Sequence, residues 1–316
     1  MNIAKQKIAV LFPGQGSQFV GMGQEFLATE AEAGALMELA ESVSGFPIRQ
    51  LCLAGPLPDL TSTVHLQPAL TAINLICWQA LQKGGLVPDF AAGHSLGEYS
   101  ALCAAGVLTP AATLALVTAR GRLMEREGRL HPGGMRAVLG LTLGEVVDVL
   151  ASLAPGGIVV AANHNSEKQV VISGEFAALE AATEVMAQKG GKVIGLNVSA
   201  ANHSPLVAGA VPDFEAAMAK VVFQRPTIPL FFNTTAATES EPAAIRAIMA
   251  RQLASMVRWF EIINALVARD VRIFIEVGPK TVLTGLLKKI LPADYQHQKF
   301  QIDSPAALAR CLAEIS

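Results

Sequence analysis

Charge is scarce in this sequence, and what there is nearly cancels. Only 16% of the 316 residues are charged, and 24 basic side chains face 26 acidic ones, a formal net charge of −2. That balance excludes general binding to nucleic acid or to an anionic membrane, though not a local basic patch. Long hydrophobic runs are missing as well. Polar residues interrupt the apolar stretches well short of the roughly 20 residues that a membrane-spanning helix needs. The N-terminal run Ile8–Phe12 ends at once in Pro13-Gly14 without a small-residue cleavage pattern, so no secretory leader is expected. The four cysteines (Cys52, Cys77, Cys103, Cys311) have no paired spacing and sit among apolar neighbours. They read as reduced core residues, which fits a cytoplasmic location. Metal-ligand spacing is absent too, so no metal site is expected. What remains plentiful is apolar surface, 52% of the residues. At roughly 150 residues per domain the chain makes about two domains, or one large domain with an insertion.

Strand-like and helix-like stretches alternate from end to end, the pattern of an α/β fold. Ile8–Phe12, stopped by Pro-Gly, reads as a buried strand. Helices are expected over about 30–44 and 68–83, and over 96–105 after a short strand at 88–92. Thr109-Pro110 opens another helix, with Thr as N-cap and Pro at its first position. The middle changes character. Strands at 135–141, 158–162, 169–173 and 192–198, with helices at 143–153 and 175–189, give the order βαββαβ. That is the split βαβ of a ferredoxin-like unit. The expected organisation is a large catalytic domain from 1–130 and 200–316, with 131–199 inserted as a small subdomain. Beyond the insert a helix at about 205–220, a strand at 228–233, a helix at about 242–255 and a strand at 271–277 are expected.

The sharpest local signal is Gly93-His94-Ser95-Leu96-Gly97, a G-x-S-x-G sequence between a strand and a helix. This is the context of a nucleophile elbow: the turn lifts the Ser95 hydroxyl clear, and the glycines let strand and helix approach. The Leu96 N–H, at the helix start, points where an oxyanion would form. A hydroxyl nucleophile needs a base. His94 is its neighbour in sequence, and adjacent side chains at a tight turn point apart. His203, in a polar loop at the proposed domain border, is the better candidate, against the plainer reading of a loop-capping histidine. No acid lies between Ser95 and His203 in an obvious strand-end loop, so a backbone carbonyl could orient the base instead. Arg120 falls in the middle of an apolar helical stripe formed by Leu116, Val117, Leu123 and Met124. A buried cation requires an anion, either a protein carboxylate or a substrate carboxylate gripped by the guanidinium fork. Arg122, two residues on, lies off the stripe and reads as a solvated charge. The turn Pro13–Gln18 could be a phosphate loop, but Gly-Lys-Ser/Thr is missing; it could equally bring the Gln15 N–H to a second oxyanion position.

Taken together, Phe12–Gln18, Gly93–Tyr99, Arg120, His203-Ser-Pro, Asn233, Arg251-Gln252-Leu253 and Glu276–Pro279 resemble the malonyl-CoA:acyl carrier protein transacylase family. The resemblance implies an α/β-hydrolase-like large domain with a ferredoxin-like insertion. It implies that Ser95 takes the acyl group as an ester, with His203 as base and then acid. The Gln252 main-chain carbonyl would hold the His203 ring, and Gln15 and Leu96 would form the oxyanion hole. Arg120 would clamp the malonyl carboxylate, and His94, Asn163 and Asn202 would line the pocket. The substrates would be malonyl-CoA, with no cofactor beyond the coenzyme A thioester, and an acyl carrier protein, free or as a domain of a synthase. The chain would be a free-standing enzyme of fatty-acid or polyketide synthesis. One departure stands out: malonyl-accepting relatives often carry a bulky Phe where this chain has Asn202. That leaves room for an α-substituted malonyl group, or for water and hence an acyl hydrolase. Arg136, where small residues are usual, has no explanation in the sequence. Arg122, Arg126 and Lys192 are candidates for a basic docking face near the cleft.

Overall fold

The alternation of apolar strands with amphipathic helices resolves into two sheets in the computed structural model, which describes residues 6–153, 156–198 and 200–315. The strands among the described residues are β1 Lys7–Phe12, β2 Phe90–Gly93, β3 Gly134–Leu139, β4 Val159–Ser166, β5 Gln169–Gly174, β6 Lys192–Gly195, β7 Leu230–Phe231, β8 Val271–Val277 and β9 Gln298–Ile302. Five of them form a parallel sheet in the order β7-β2-β1-β8-β9. Period two governs β1 at its centre. Ile8, Val10 and Phe12 enter one apolar core, while Ala9 and Leu11 enter a second on the opposite face. The other four strands pair antiparallel in the order β4-β5-β3-β6, with the helices Leu143–Leu153 and Phe176–Gln188 on one face. Val138, Val146, Val149, Val170, Ile172 and Leu179 form the core beneath those helices. The opposite face presents Met135 and Val171 to the cleft between the sheets.

Through β4 the antiparallel sheet is tied to the segment before the helix Trp259–Val267. Val257 N–H donates to Ala162 O at 2.9 Å, and His164 N–H donates to Val257 O at 2.8 Å. His164 Nδ1 lies 3.0 Å from Glu261 Oε1.

Several boundaries differ from the sequence expectation. The helix expected from Pro68 begins at Thr63 and runs to Lys83, with Pro68 inside it. Leu66 and Gln67 are buried on the added turn, so tertiary packing overrides the preference of proline for a first turn. The late strand shrinks to Leu230–Phe231, and the helix expected at 205–220 starts as a 3-10 turn, Pro205–Ala210, before Val211–Met218. The expected domain limits 1, 199 and 316 fall outside the described residues. Additional to the sequence reading are strand β9 and the helices Gln24–Thr29, Ile48–Ala54, Leu57–Thr61, Trp259–Val267, Val282–Ile290 and Pro305–Ile315.

Candidate active site

Ser95 closes β2 and opens the helix Gly97–Ala104, with φ 51 in the left-handed region. No side chain larger than hydrogen fits on either flank. A Cβ at Gly97 would lie 2.0 Å from the Phe12 carbonyl oxygen, and one at Gly93 would lie 2.1 Å from the Gly97 carbonyl oxygen. The strained turn is held from both ends: Ser95 N–H donates to Asn233 Oδ1 at 2.7 Å, and Gln252 Nε2 donates to Ser95 O at 2.8 Å. Asn233 also fixes the strand, donating through Nδ2 to Gly93 O at 2.7 Å.

His203, itself at φ 59, is placed by its N–H donating to Leu253 O at 3.0 Å. Its Nε2 lies 2.7 Å from Ser95 Oγ. Its Nδ1 faces two carbonyl oxygens, Gln252 O at 3.1 Å and Ser255 O at 3.0 Å. Carbonyls only accept, so Nδ1 carries the proton and the Nε2 lone pair faces the serine hydroxyl. Burial first, and the Arg120 charge second, lower His203 to about 3, so the ring is neutral. His94 is also neutral: burial lowers it, and its Nε2 lies 2.8 Å from Asn165 Oδ1, with the ring edge-on to Trp259.

Arg120 is 2% exposed. Its Nη1 donates to Gln67 Oε1 at 2.9 Å, and its Nη2 reaches Ser95 Oγ at 3.3 Å and Gln252 Oε1 at 3.4 Å. The guanidinium also lies over Tyr99, 5.6 Å from the ring centroid. Among the described residues no carboxylate ion-pairs with it, so the structural ion pair that would have explained its burial has no partner.

A cavity of about 520 Å3 opens in front of this pair. Gln15, His94, Ser95, Asn202 and His203 form one wall; Met135, Asn163, Asn165 and Val171 from the antiparallel sheet form the second; Leu283, Leu286 and Lys289 form the third. The Pro13–Gln18 turn runs against the elbow: a Cβ at Gly14 would sit 2.4 Å from His94 O and 3.5 Å from Leu96 N. Gln15 and the elbow thus share one wall of the cavity. Among the described residues neither the Gln15 N–H nor the Leu96 N–H donates within the protein. The Oδ1 atoms of Asn163 and Asn202 are buried without a protein partner.

The suggested docking cations lie elsewhere. Arg122 donates to Ser44 O at 2.9 Å and covers Phe46, Arg126 pairs with Glu127 and Asp213, and Lys192 is exposed on β6; none lines the cavity. The lysine that does is Lys289, whose Nζ donates to Gln169 Oε1 at 2.9 Å. Arg136 is explained by Glu180 and Thr183, which its guanidinium binds across the helix Phe176–Gln188. Sequence reasoning missed Gln67, Glu98, Asn165 and Ser255. Only Glu98 carried a signal, the one Arg120 carried: a charge within an otherwise apolar helix.

The acyl transferase domain family matches residues 10–301. The malonyl CoA-acyl carrier protein transacylase of Salmonella typhimurium is 36% identical over 310 residues, 98% of this chain and 99% of that protein. The transacylase of that name from Coxiella burnetii superposes with a TM-score of 0.94 at 31% identity, covering 98% of each chain. A malonyl-transacylase solved in complex with its type II PKS acyl-carrier protein superposes at 0.92, with 34% identity over 98% of this chain and 99% of that one.

Proposed function

We propose an activity for a chain that belongs to the acyl transferase family and, within it, to the malonyl CoA-acyl carrier protein transacylases: it moves a malonyl group from coenzyme A to the phosphopantetheine thiol of an acyl carrier protein, through an ester on Ser95. The observation that carries this reading is one cluster. Ser95 Oγ lies 2.7 Å from His203 Nε2 and 3.3 Å from the guanidinium of Arg120, which among the described residues ion-pairs with no carboxylate.

The chemistry follows from the tautomer. Ser95 Oγ passes its proton to His203 Nε2 and attacks the thioester carbonyl. The oxyanion meets the Gln15 and Leu96 N–H groups, and losing one such donor costs about 2.7–4 kcal/mol. As the C–S bond breaks, His203 returns the proton to the coenzyme A sulfur. The carrier thiol then gives its proton to Nε2 and attacks the ester, and Ser95 Oγ leaves with that proton. The reaction as written needs no cofactor. Arg120 turns its fork from Ser95 Oγ to the malonyl carboxylate. That neutralises the charge that depresses His203 and leaves the ring a stronger base when the acyl group is carboxylated. Selectivity is then expressed in the acylation rate as well as in binding.

On this reading 1–130 and 200–316 form the catalytic domain, 131–199 the small subdomain, and the enzyme works in the cytoplasm. Four free cysteines, three of them buried, support that location, and among the described residues no helix is long and apolar enough to cross a membrane. Intact mass after exposure to malonyl-CoA, followed by addition of holo carrier protein, tests it. A malonyl adduct should form on Ser95 and then move to the carrier; no adduct, or one that stays put, overturns the reading. The unpartnered Oδ1 of Asn202, beside His203, favours a second outcome in which held water releases free malonate. Free acid formed faster than acyl carrier protein marks that case, and an adduct formed faster from an α-substituted malonyl-CoA marks a wider pocket.

A further inference from the structure

Glu98 is fully buried one helical turn after the nucleophile, and no step of the transfer uses it. Both of its oxygens are met. Asn233 N–H donates to Oε1 at 2.8 Å, and Gln252 Nε2 donates to Oε2 at 2.9 Å. These are the two residues that hold the Ser95 backbone. Gln252 turns its other amide atom, Oε1, towards Arg120 Nη2. The Gln252 amide thus stands as a neutral spacer between a buried carboxyl and a buried guanidinium. Direct contact between the two would close the fork to an acyl carboxylate. With no anion nearby, the empty site would hold an uncompensated cation.

We infer that Glu98 is the positioning residue of Arg120 and, when ionised, its countercharge in the empty site, and that the ionised form takes up a proton when the carboxylate of a malonyl thioester occupies the guanidinium. The inference rests on the transfer reading above and adds a charge linkage to it. The other charged and titratable groups around the network are Arg120 on the helix Pro110–Leu130, Tyr99 beside Glu98, His203 in the catalytic turn and His94 at the elbow. Burial holds both histidines low and raises Tyr99, so none of these changes charge near neutrality. Arg120 remains a cation. Burial pushes Glu98 up to about 8, against its two hydrogen-bond donors and Arg120. An arriving carboxylate cancels the pull of Arg120 and adds a like charge, and both effects favour the protonated carboxyl. Binding therefore consumes a proton, and affinity for a carboxylated thioester falls as pH rises past the Glu98 transition.

The Ser95→Ala enzyme, which forms no ester, is titrated with malonyl-CoA and with acetyl-CoA from about pH 7 to about pH 9.5 by calorimetry in buffers of unlike ionisation heat. The malonyl-CoA Kd should rise up to about tenfold per pH unit above the transition, with heats that report proton uptake, and acetyl-CoA should show neither. Glu98→Gln should abolish the slope and tighten malonyl-CoA at the alkaline end. With Ser95 restored it should lower kcat, because a glutamine keeps one acceptor oxygen and leaves either Asn233 N–H or Gln252 Nε2 without one. A merely structural Glu98 would lower Tm and leave the slope intact. A flat malonyl-CoA Kd, or a slope that survives Glu98→Gln, overturns the inference. If Glu98→Gln does not fold, the Ser95→Ala parent decides: uptake with malonyl-CoA alone supports the linkage, and equal heats for both thioesters overturn it. Absence of malonyl-CoA binding at every pH overturns the transfer reading itself, and the linkage with it.

Discussion

A neutral imidazole and a guanidinium share one serine oxygen, and the guanidinium helps burial keep the imidazole neutral. On the proposed mechanism His203 must be unprotonated to accept the Ser95 proton, and its value of about 3 keeps it so well into acid. The acylation rate of the free enzyme should therefore stay flat below neutrality and fall only as pH drops towards that value. Arg120→Ala removes the second cause of the depression, so its acid limb should move to higher pH. It should also lose about 2–5 kcal/mol of malonyl-over-acetyl preference. The same depression has a stability sign. Below an unfolded value of about 6.5 the unfolded chain binds a proton that the folded ring refuses, so the fold weakens as pH falls from there towards 3. Rapid-quench acylation and the pH dependence of Tm, compared with His203→Gln, check both. An unshifted acid limb in Arg120→Ala would mean the guanidinium acts only by contact. Ser95 and Arg120 were legible in the sequence because each breaks a local rule, a serine at a glycine-flanked bend and a charge in an apolar stripe. Gln252 Oε1, Ser255 O and Asn165 Oδ1 were not, since their roles arise only where distant segments meet; Gln252 reaches Ser95 across 157 positions.

Helix ends do as much here as side chains. The sequence pattern shows a helix only from Pro68, whereas the helix begins at Thr63, and the extra turn carries Gln67, which accepts from Arg120 Nη1. Strongly patterned elements were legible: Leu143–Leu153 and Val271–Val277 have the expected bounds. The two-residue strand β7 was overextended, because its pairing with β2 rather than its own pattern sets its length. A motif quoted only for its resemblance, Glu276–Pro279, gains a physical role at this scale. The buried Glu276 carboxyl accepts from Leu283 N–H, Thr284 N–H and Thr284 Oγ1, each at 2.8 Å. It caps the helix Val282–Ile290, whose Leu283, Leu286 and Lys289 wall the cavity. Glu276→Ala should cost roughly 1–3 kcal/mol for each donor stranded. It should raise KM for the thioester more than it lowers kcat, since among the described residues no hydrogen bond joins that helix to Ser95 or His203. Denaturant unfolding and steady-state kinetics separate the two effects, and a loss confined to kcat would contradict this role.

Across the whole molecule, the proposed mechanism depends on the two sheets facing one cleft. The parallel sheet supplies the elbow and the antiparallel sheet one wall of the cavity, which on the proposed mechanism would shield the acyl ester from water. Beside the backbone bridge through Val257, the seam carries the His94 Nε2 contact to Asn165 Oδ1 at 2.8 Å, which ties the residue before the nucleophile to β4. Asn165→Ala leaves a buried ring nitrogen without a partner, a cost of about 1–3 kcal/mol. It also opens space between the elbow and the wall. The reacting pair itself stays in place, because Asn233 and Gln252 brace the Ser95 backbone and two carbonyls brace His203 without help from β4. Acylation by malonyl-CoA should therefore survive nearly unchanged, while the ester's lifetime in water shortens and free malonate appears at the expense of malonyl carrier protein. Intact-mass measurement of adduct decay without carrier protein reads this directly. A lifetime equal to that of the parent would show that the seam does not govern water entry, and a slowed acylation would show that the elbow leans on the antiparallel sheet after all.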